Sequence, residues 1–180
     1  VRASSNRKAL DVTDATIVVG DALDRSSVDS AFVGQKFDAV ICSIGSLPGE
    51  QHTDLETNSN VIDAAVAAGV RRFIGVSSIG AGDSWAVAPE AAKAYLHEIM
   101  ALRSKIEDYT MAADLDWTVV RPGGLKDDQP TGNALLTEDH TVAGLVTRED
   151  VAARLVDCLA DEAIGKIYHV VDADRTYAKR

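Results

Sequence analysis

The stretch Leu115-Asp-Trp-Thr-Val-Val-Arg-Pro-Gly-Gly-Leu125 decides the fold. Its 117–121 portion is a short, nearly unbroken apolar run, the pattern of a strand buried on both faces, and such strands belong to parallel sheets. The run ends in Arg121-Pro122-Gly123-Gly124, which reads as a stiff turn. Pro122 fixes its own φ, and the two glycines let bare backbone approach a flat ligand. In open α/β sheets ligands bind beyond the carboxyl ends of the strands, so this turn marks the edge along which function is sought.

Working outward, the same texture recurs. Residues 16–20, 37–43, 72–77 and 166–171 read as further strands. Helical patterns lie between them. Residues 26–33 have Asp24 or Ser26 as a cap, and 54–68 place Val61, Ile62, Ala65 and Val66 on a core face with Gly69 as the stop. Residues 88–113 open near Pro89-Glu90, and Thr147-Arg-Glu-Asp150 forms a capping box before 151–159. Strand and helix thus alternate almost throughout, which predicts an α/β fold with right-handed crossovers. The polar, Gly-containing segments 79–88 and 122–142 are long enough to be functional loops.

Bulk properties narrow the function. The 180 residues, 46% hydrophobic and 26% charged, suit one compact domain over 1–180. A formal charge of −10 disfavours nucleic acid and anionic membrane surfaces, which need clustered Lys and Arg. Cys42 and Cys158 have no CxxC spacing, so neither a disulfide framework nor a zinc site is expected, and reduced thiols suit a cytoplasmic protein. No apolar run reaches the ~18 residues of a membrane span.

Five motifs then occur in order: Val18-Val-Gly-Asp-Ala-Leu23, Asp38-Ala-Val-Ile-Cys-Ser-Ile-Gly45, Asn58-Ser-Asn-Val-Ile-Asp-Ala-Ala65, Gly69-Val-Arg-Arg-Phe-Ile-Gly-Val-Ser-Ser78 and Trp117-Thr-Val-Val-Arg-Pro-Gly-Gly124. Together they resemble the atypical short-chain dehydrogenase/reductases, and within them the NmrA-like NAD(P)H-binding group that includes biliverdin-IXβ/flavin reductase. The resemblance implies a Rossmann-type doubly wound parallel sheet, a nicotinamide cofactor, a small-molecule substrate and a monomer or homodimer. That family opens with a strand and a GxxGxxG turn, and neither is found here. Val1-Arg-Ala-Ser-Ser5 resembles the end of the family's second strand, so the intact protein is expected to be longer. Without the first strand, which is central in the 3-2-1-4-5-6 order, a gap is expected in the middle of the ladder.

The resemblance also assigns roles. Arg2, with Ser4, Ser5 and Arg7 nearby, falls where the family places a cation for the 2′-phosphate, which favours NADP over NAD; a frayed terminus is the plainer reading. Asp21, Ala22 and Leu23 fall at the adenine-contacting position, although a strand-end Asx-turn would look the same. Ser43, Ile44, Gly45 and Ser46 end a strand where backbone can approach ribose or phosphate. One of Asn58 and Asn60 is expected to anchor backbone of the neighbouring strand. Ser77 is expected at the cofactor and Ser78 at the substrate, and Pro122, Gly123 and Gly124 to turn over the nicotinamide, a role that would explain the paired glycines. The segment Lys126-Asp-Asp-Gln-Pro-Thr-Gly132 resembles the flap that follows in reductases.

One motif departs from the family's pattern. Where the classical members of the superfamily carry Tyr-x-x-x-Lys, a phenol tuned for proton exchange, this chain places Ile99 and Arg103. Alcohol or ketone dehydrogenation is correspondingly disfavoured. Hydride transfer to an electron-poor acceptor needs mainly positioning, so an NADPH-dependent reductase of a small conjugated or flavin-like acceptor is expected. A redox sensor that binds dinucleotide without chemistry is the alternative, and a nucleotide-sugar epimerase or dehydratase the third reading. Tyr95 and His97 are candidates for a substrate wall or proton donor. Asp127, Asp128, Glu138 and Asp139 read as a solvated acidic loop, since His140 stands alone and no histidine lies at ligand spacing.

Overall fold

The computed structural model describes residues 1–45, 53–88 and 90–177, apart from the side chains of Ala91, Ala92 and Tyr95. Helix α1 (Arg25–Phe32) precedes strand β1 (Ala39–Cys42), α2 (Asp54–Ala67) leads into β2 (Arg72–Val76), and α3 (Glu90–Ala112) leads into β3 (Asp116–Pro122). Strands β4 (Gly124–Lys126), β5 (Ala134–Thr137) and β6 (Leu145–Thr147) follow, then α4 (Arg148–Asp157) and β7 (Lys166–Asp172). Strands β1, β2, β3 and β7 pair in parallel in that order, each joined to the next through a helix. This is the Rossmann-type α/β arrangement. It is not wholly parallel, because β5 returns antiparallel along β7.

Successive residues on a strand face opposite sides of the sheet, and the two cores follow from that. Phe73 packs with Cys42, Ile62, Ala65, Val70 and Leu115 beneath α2. Its neighbour Ile74 packs with Val120, Val146, Val151, Leu155 and Val170 beneath α4. Helices therefore cover both faces. Across the second face Arg72, 9% exposed, donates to Asp116 O, to Thr118 Oγ1 at 2.7 Å and to Cys158 O. One guanidinium thus ties β2 to β3 and to the end of α4.

Local signals explain the helix ends. Asp24 caps α1 by accepting from Ser26 N at 3.0 Å. Gly69, at φ 74°, lets the chain leave α2. Thr147 caps α4 by accepting from Asp150 N at 3.1 Å, so the helix starts at Arg148 rather than at 151.

Several expectations are corrected. Residues 16–20 form no strand; among the described residues Gly20 N donates to Val1 O at 2.9 Å and the Val1 amine to Val18 O at 2.8 Å. The strands from β1 to β5 are contiguous and β1 is the edge, while Val1 and Gly20, on the far side of the position where the gap is expected, pair with each other and line the cleft beside β1. Arg121 to Gly124 is no turn, since β3 runs through Gly123 into β4, which pairs in parallel with β6. The 122–142 segment accordingly carries two strands, and 79–88 carries a 3-10 turn at Gly82–Val87.

Candidate functional site

At the carboxyl end of β1 the chain leaves a cleft of about 590 Å³, within the usual range for small-molecule sites. One wall is Val1, Arg2, Ser5, Val18 and 20–23, and the other is Ser43, Ile44 and Gly45 with the first turn of α2. Seven residues assigned from sequence, Arg2, Asp21, Ala22, Leu23, Ser43, Ile44 and Gly45, line it. Ser46 lies outside the described residues.

Helix α2 holds both rims. Asn60 Nδ2 donates to Ala22 O at 2.8 Å, fixing one wall. On the opposite wall Asn58 Nδ2 donates to Asp54 O at 2.7 Å and to Ile44 O at 3.4 Å, while its Oδ1 accepts from the Cys42 thiol. The expectation that one asparagine anchors the neighbouring strand is too narrow, for the two serve different walls. Asp21 Oδ1 accepts from Leu23 N at 3.0 Å, an Asx-turn. A Cβ on Gly20 would lie 2.3 Å from Ser27 Oγ, so a side chain there would turn that hydroxyl away from Asp21 N, to which it is bonded.

The remaining assigned residues stand further along the same edge, outside the cleft wall. Ser77 N donates to Val120 O at 2.7 Å and Ile79 N to Pro122 O at 3.0 Å, which extends the pairing of β2 with β3 beyond the strand ends. Gly45, Ser78 and Pro122 therefore share one carboxyl edge. The Ser77 hydroxyl donates to Glu107 Oε1, and Ser78 Oγ donates to Ile79 O at 3.2 Å. Gly123 and Gly124 have a structural explanation that sequence reasoning missed. A Cβ on Gly123 would fall 2.3 Å from Gly144 O, and Gly124 N donates to that same carbonyl at 2.9 Å. Gly123 thus admits a neighbouring backbone, while a Cβ on Gly124 would lie 2.8 Å from the Leu145 side chain. Tyr95 lies on α3 with its side chain outside the described residues, and His97 packs edge-on to Trp85 at 5.7 Å.

Behind that edge sits a charged cluster. Arg121, 2% exposed, grips buried Glu107 with two bonds, Nε to Oε1 at 2.9 Å and Nη2 to Oε2 at 2.7 Å. Its Nη1 reaches Asp83 at 2.5 Å. Asp83 in turn meets His140 Nδ1 at 2.8 Å. His140, expected to stand alone, stacks on His169 at 4.9 Å and places Nε2 3.1 Å from Ile167 O. Partial burial would raise the Asp83 carboxyl, but hydrogen bonds from His140 and Arg121 outweigh it and hold the group at about 2. Burial lowers the His169 pKa and favours its neutral form, in which Nδ1 donates to Val142 O at 2.8 Å. The cluster fastens the 79–88 and 134–144 segments to the sheet.

The acidic loop is paired and exposed: Asp127 with Arg148, Asp128 with Arg175, and Glu138 with Lys166. Among the described residues no group of three His, Cys, Asp or Glu side chains could hold a metal ion, and no helix is long and apolar enough to cross a membrane.

Comparison with known proteins agrees with this geometry. A family described as NAD(P)H-binding matches residues 1–162. An uncharacterised chloroplastic protein of Arabidopsis thaliana is 32% identical over 156 residues, 81% of this chain, which spans 56% of that relative's length. YhfK of Bacillus subtilis, named as an uncharacterised sugar epimerase, is 30% identical over 169 residues, 90% of this chain and 75% of its own. Among solved structures, the anaerobilin reductase ChuY of Escherichia coli O157:H7 superposes with a TM-score of 0.82 at 31% identity, covering 94% of this chain and 81% of that one.

Proposed function

Since the chain belongs to the NAD(P)H-binding family, we propose that it holds the cofactor of an oxidoreductase that reduces a small conjugated or flavin-like acceptor with NADPH. The observation that carries this is the cleft at the β1 edge, whose walls are built from the residues assigned to the adenosine half of the dinucleotide. Arg2 and Ser5 supply a cation and a hydroxyl for a 2′-phosphate. Leu23 offers an apolar surface to adenine, and Ser43 and Gly45 bring hydroxyl and bare backbone to a ribose. Bound NADPH supplies the hydride. The chain's own contribution is to orient the nicotinamide along the edge formed by Ser78 and Pro122 and to shelter it beneath the 134–144 segment, where fixed dipoles replace water. Ser78 and Tyr95 are the residues that the family resemblance assigns to the acceptor. The similarity to an anaerobilin reductase supports an extended conjugated acceptor.

Monitoring NADPH absorbance with flavin, quinone and linear tetrapyrrole acceptors tests this, the expected result being oxidation that depends on acceptor. Tight NADPH binding without turnover of any acceptor would instead favour the sensor reading, which the Ile99 and Arg103 replacements support. Similarity to a protein named as a sugar epimerase supports a third reading. It predicts interconversion of sugar epimers with no net consumption of cofactor.

A further inference from the structure

Arg103 touches the cleft only through residues that line it. It projects from α3, its side chain 14% exposed, and its Nη1 donates to Ile44 O at 3.1 Å. Nη2 lies 3.1 Å from Asp54 Oδ2, a carboxylate only 5% exposed at the start of α2. Ile44, Gly45 and Asp54 all line the cleft, and Arg103 does not. The same guanidinium explains Gly45: a Cβ there would lie 2.3 Å from Arg103 Nη2. Gly45 has no positive φ, so its backbone would accept a side chain, and a Cβ there would push the Arg103 guanidinium aside rather than strain the turn.

We infer that Arg103 is a positioning residue for dinucleotide binding: from α3 it clamps the Ser43–Gly45 exit of β1 against the start of α2 and so sets the shape of one cleft wall. This rests on the cofactor reading above. A guanidinium suits the task because it is charged at every relevant pH and presents several donors in fixed directions. One faces a carbonyl and another a carboxylate. A lysine would keep the charge for Asp54 but could not present the same pair of bonds.

The test uses the full-length protein with Arg103→Gln, Arg103→Lys, Gly45→Ala and the Gly45→Ala/Arg103→Gln double variant. Two readouts are taken on each, amide exchange at Ile44 and Gly45 without cofactor and NADPH affinity by fluorescence titration, with thermal melts to confirm folding. Arg103→Gln is expected to speed exchange at those amides and to weaken NADPH about tenfold, the size of one lost hydrogen bond to a charged donor. Arg103→Lys should fall between it and the parent. Gly45→Ala, which displaces the guanidinium without removing it, should reproduce the loss. The double variant should be no worse than either single change, because the methyl then occupies vacated space. Unchanged exchange in a folded Arg103→Gln protein, or losses that multiply in the double variant, would overturn the inference. Faster exchange in a protein whose parent binds no dinucleotide would leave the clamp standing and refute the cofactor reading instead.

Discussion

Arg121 and Glu107 form a buried ion pair whose existence no local sequence pattern records. From sequence Arg121 has no role of its own beside the Pro122-Gly123-Gly124 turn, yet its guanidinium is engaged by both Glu107 and Asp83. Removing one partner of a buried pair strands the other charge, so Arg121→Met should cost about 3–5 kcal/mol in urea denaturation. Replacing both, as Arg121→Met with Glu107→Leu, should recover much of that. Asp83 makes a prediction about acid. Its folded carboxyl titrates near 2 against 3.8 for the free group, so the pairing stabilises fully above the unfolded value and is lost as pH falls toward 2. The stability difference between the parent and Asp83→Asn should be largest near neutral pH and close progressively below pH ~4. A difference that stays constant down to pH ~2 would show that the carboxylate's charge is not what matters.

At the scale of elements, the capping box before α4 does more than start a helix. Asp150 accepts from Thr131 N at 2.9 Å and Gly132 N at 3.0 Å as well as from the Thr147 hydroxyl at 2.8 Å. Backbone donation from Thr131 leads the causes that lower its pKa. Thr131 also donates to buried Asp172 at 2.7 Å. The loop that sequence comparison reads as a flap is thereby tied to the helix cap. Thr147→Ala should cost about 1 kcal/mol as a lost cap. Asp150→Asn should accelerate amide exchange at Thr131 and Gly132 while exchange within β2 stays as in the parent. Equal acceleration in both places would mean global destabilisation. Helix α2 works similarly through Asn58 and Asn60. Their types and spacing were visible in the sequence, but the walls they serve depend on where the Ala22 and Ile44 carbonyls come to rest.

For the whole molecule, the cleft predicts linkage between ligand and stability. A dinucleotide that binds only the folded chain should raise stability by about 2.7 kcal/mol at a hundred times its Kd, read as a higher Tm. If Arg2 recognises the 2′-phosphate, Arg2→Ala should lower the affinity for NADP about tenfold and leave that for NAD unchanged. An equal loss for both would show that Arg2 shapes the wall without reading the phosphate. The alternation of buried strands with helices, the helix caps and the carboxyl edge were determined by the sequence, because apolar periodicity and capping are local and burial on two faces leaves few architectures. Only the tertiary structure decided that Val18 and Gly20 pair with Val1, that β5 runs antiparallel, that Gly123 admits Gly144, and that Arg103 holds Ile44. Each of these depends on a partner far along the chain, and local pattern carries no record of which distant backbone will arrive.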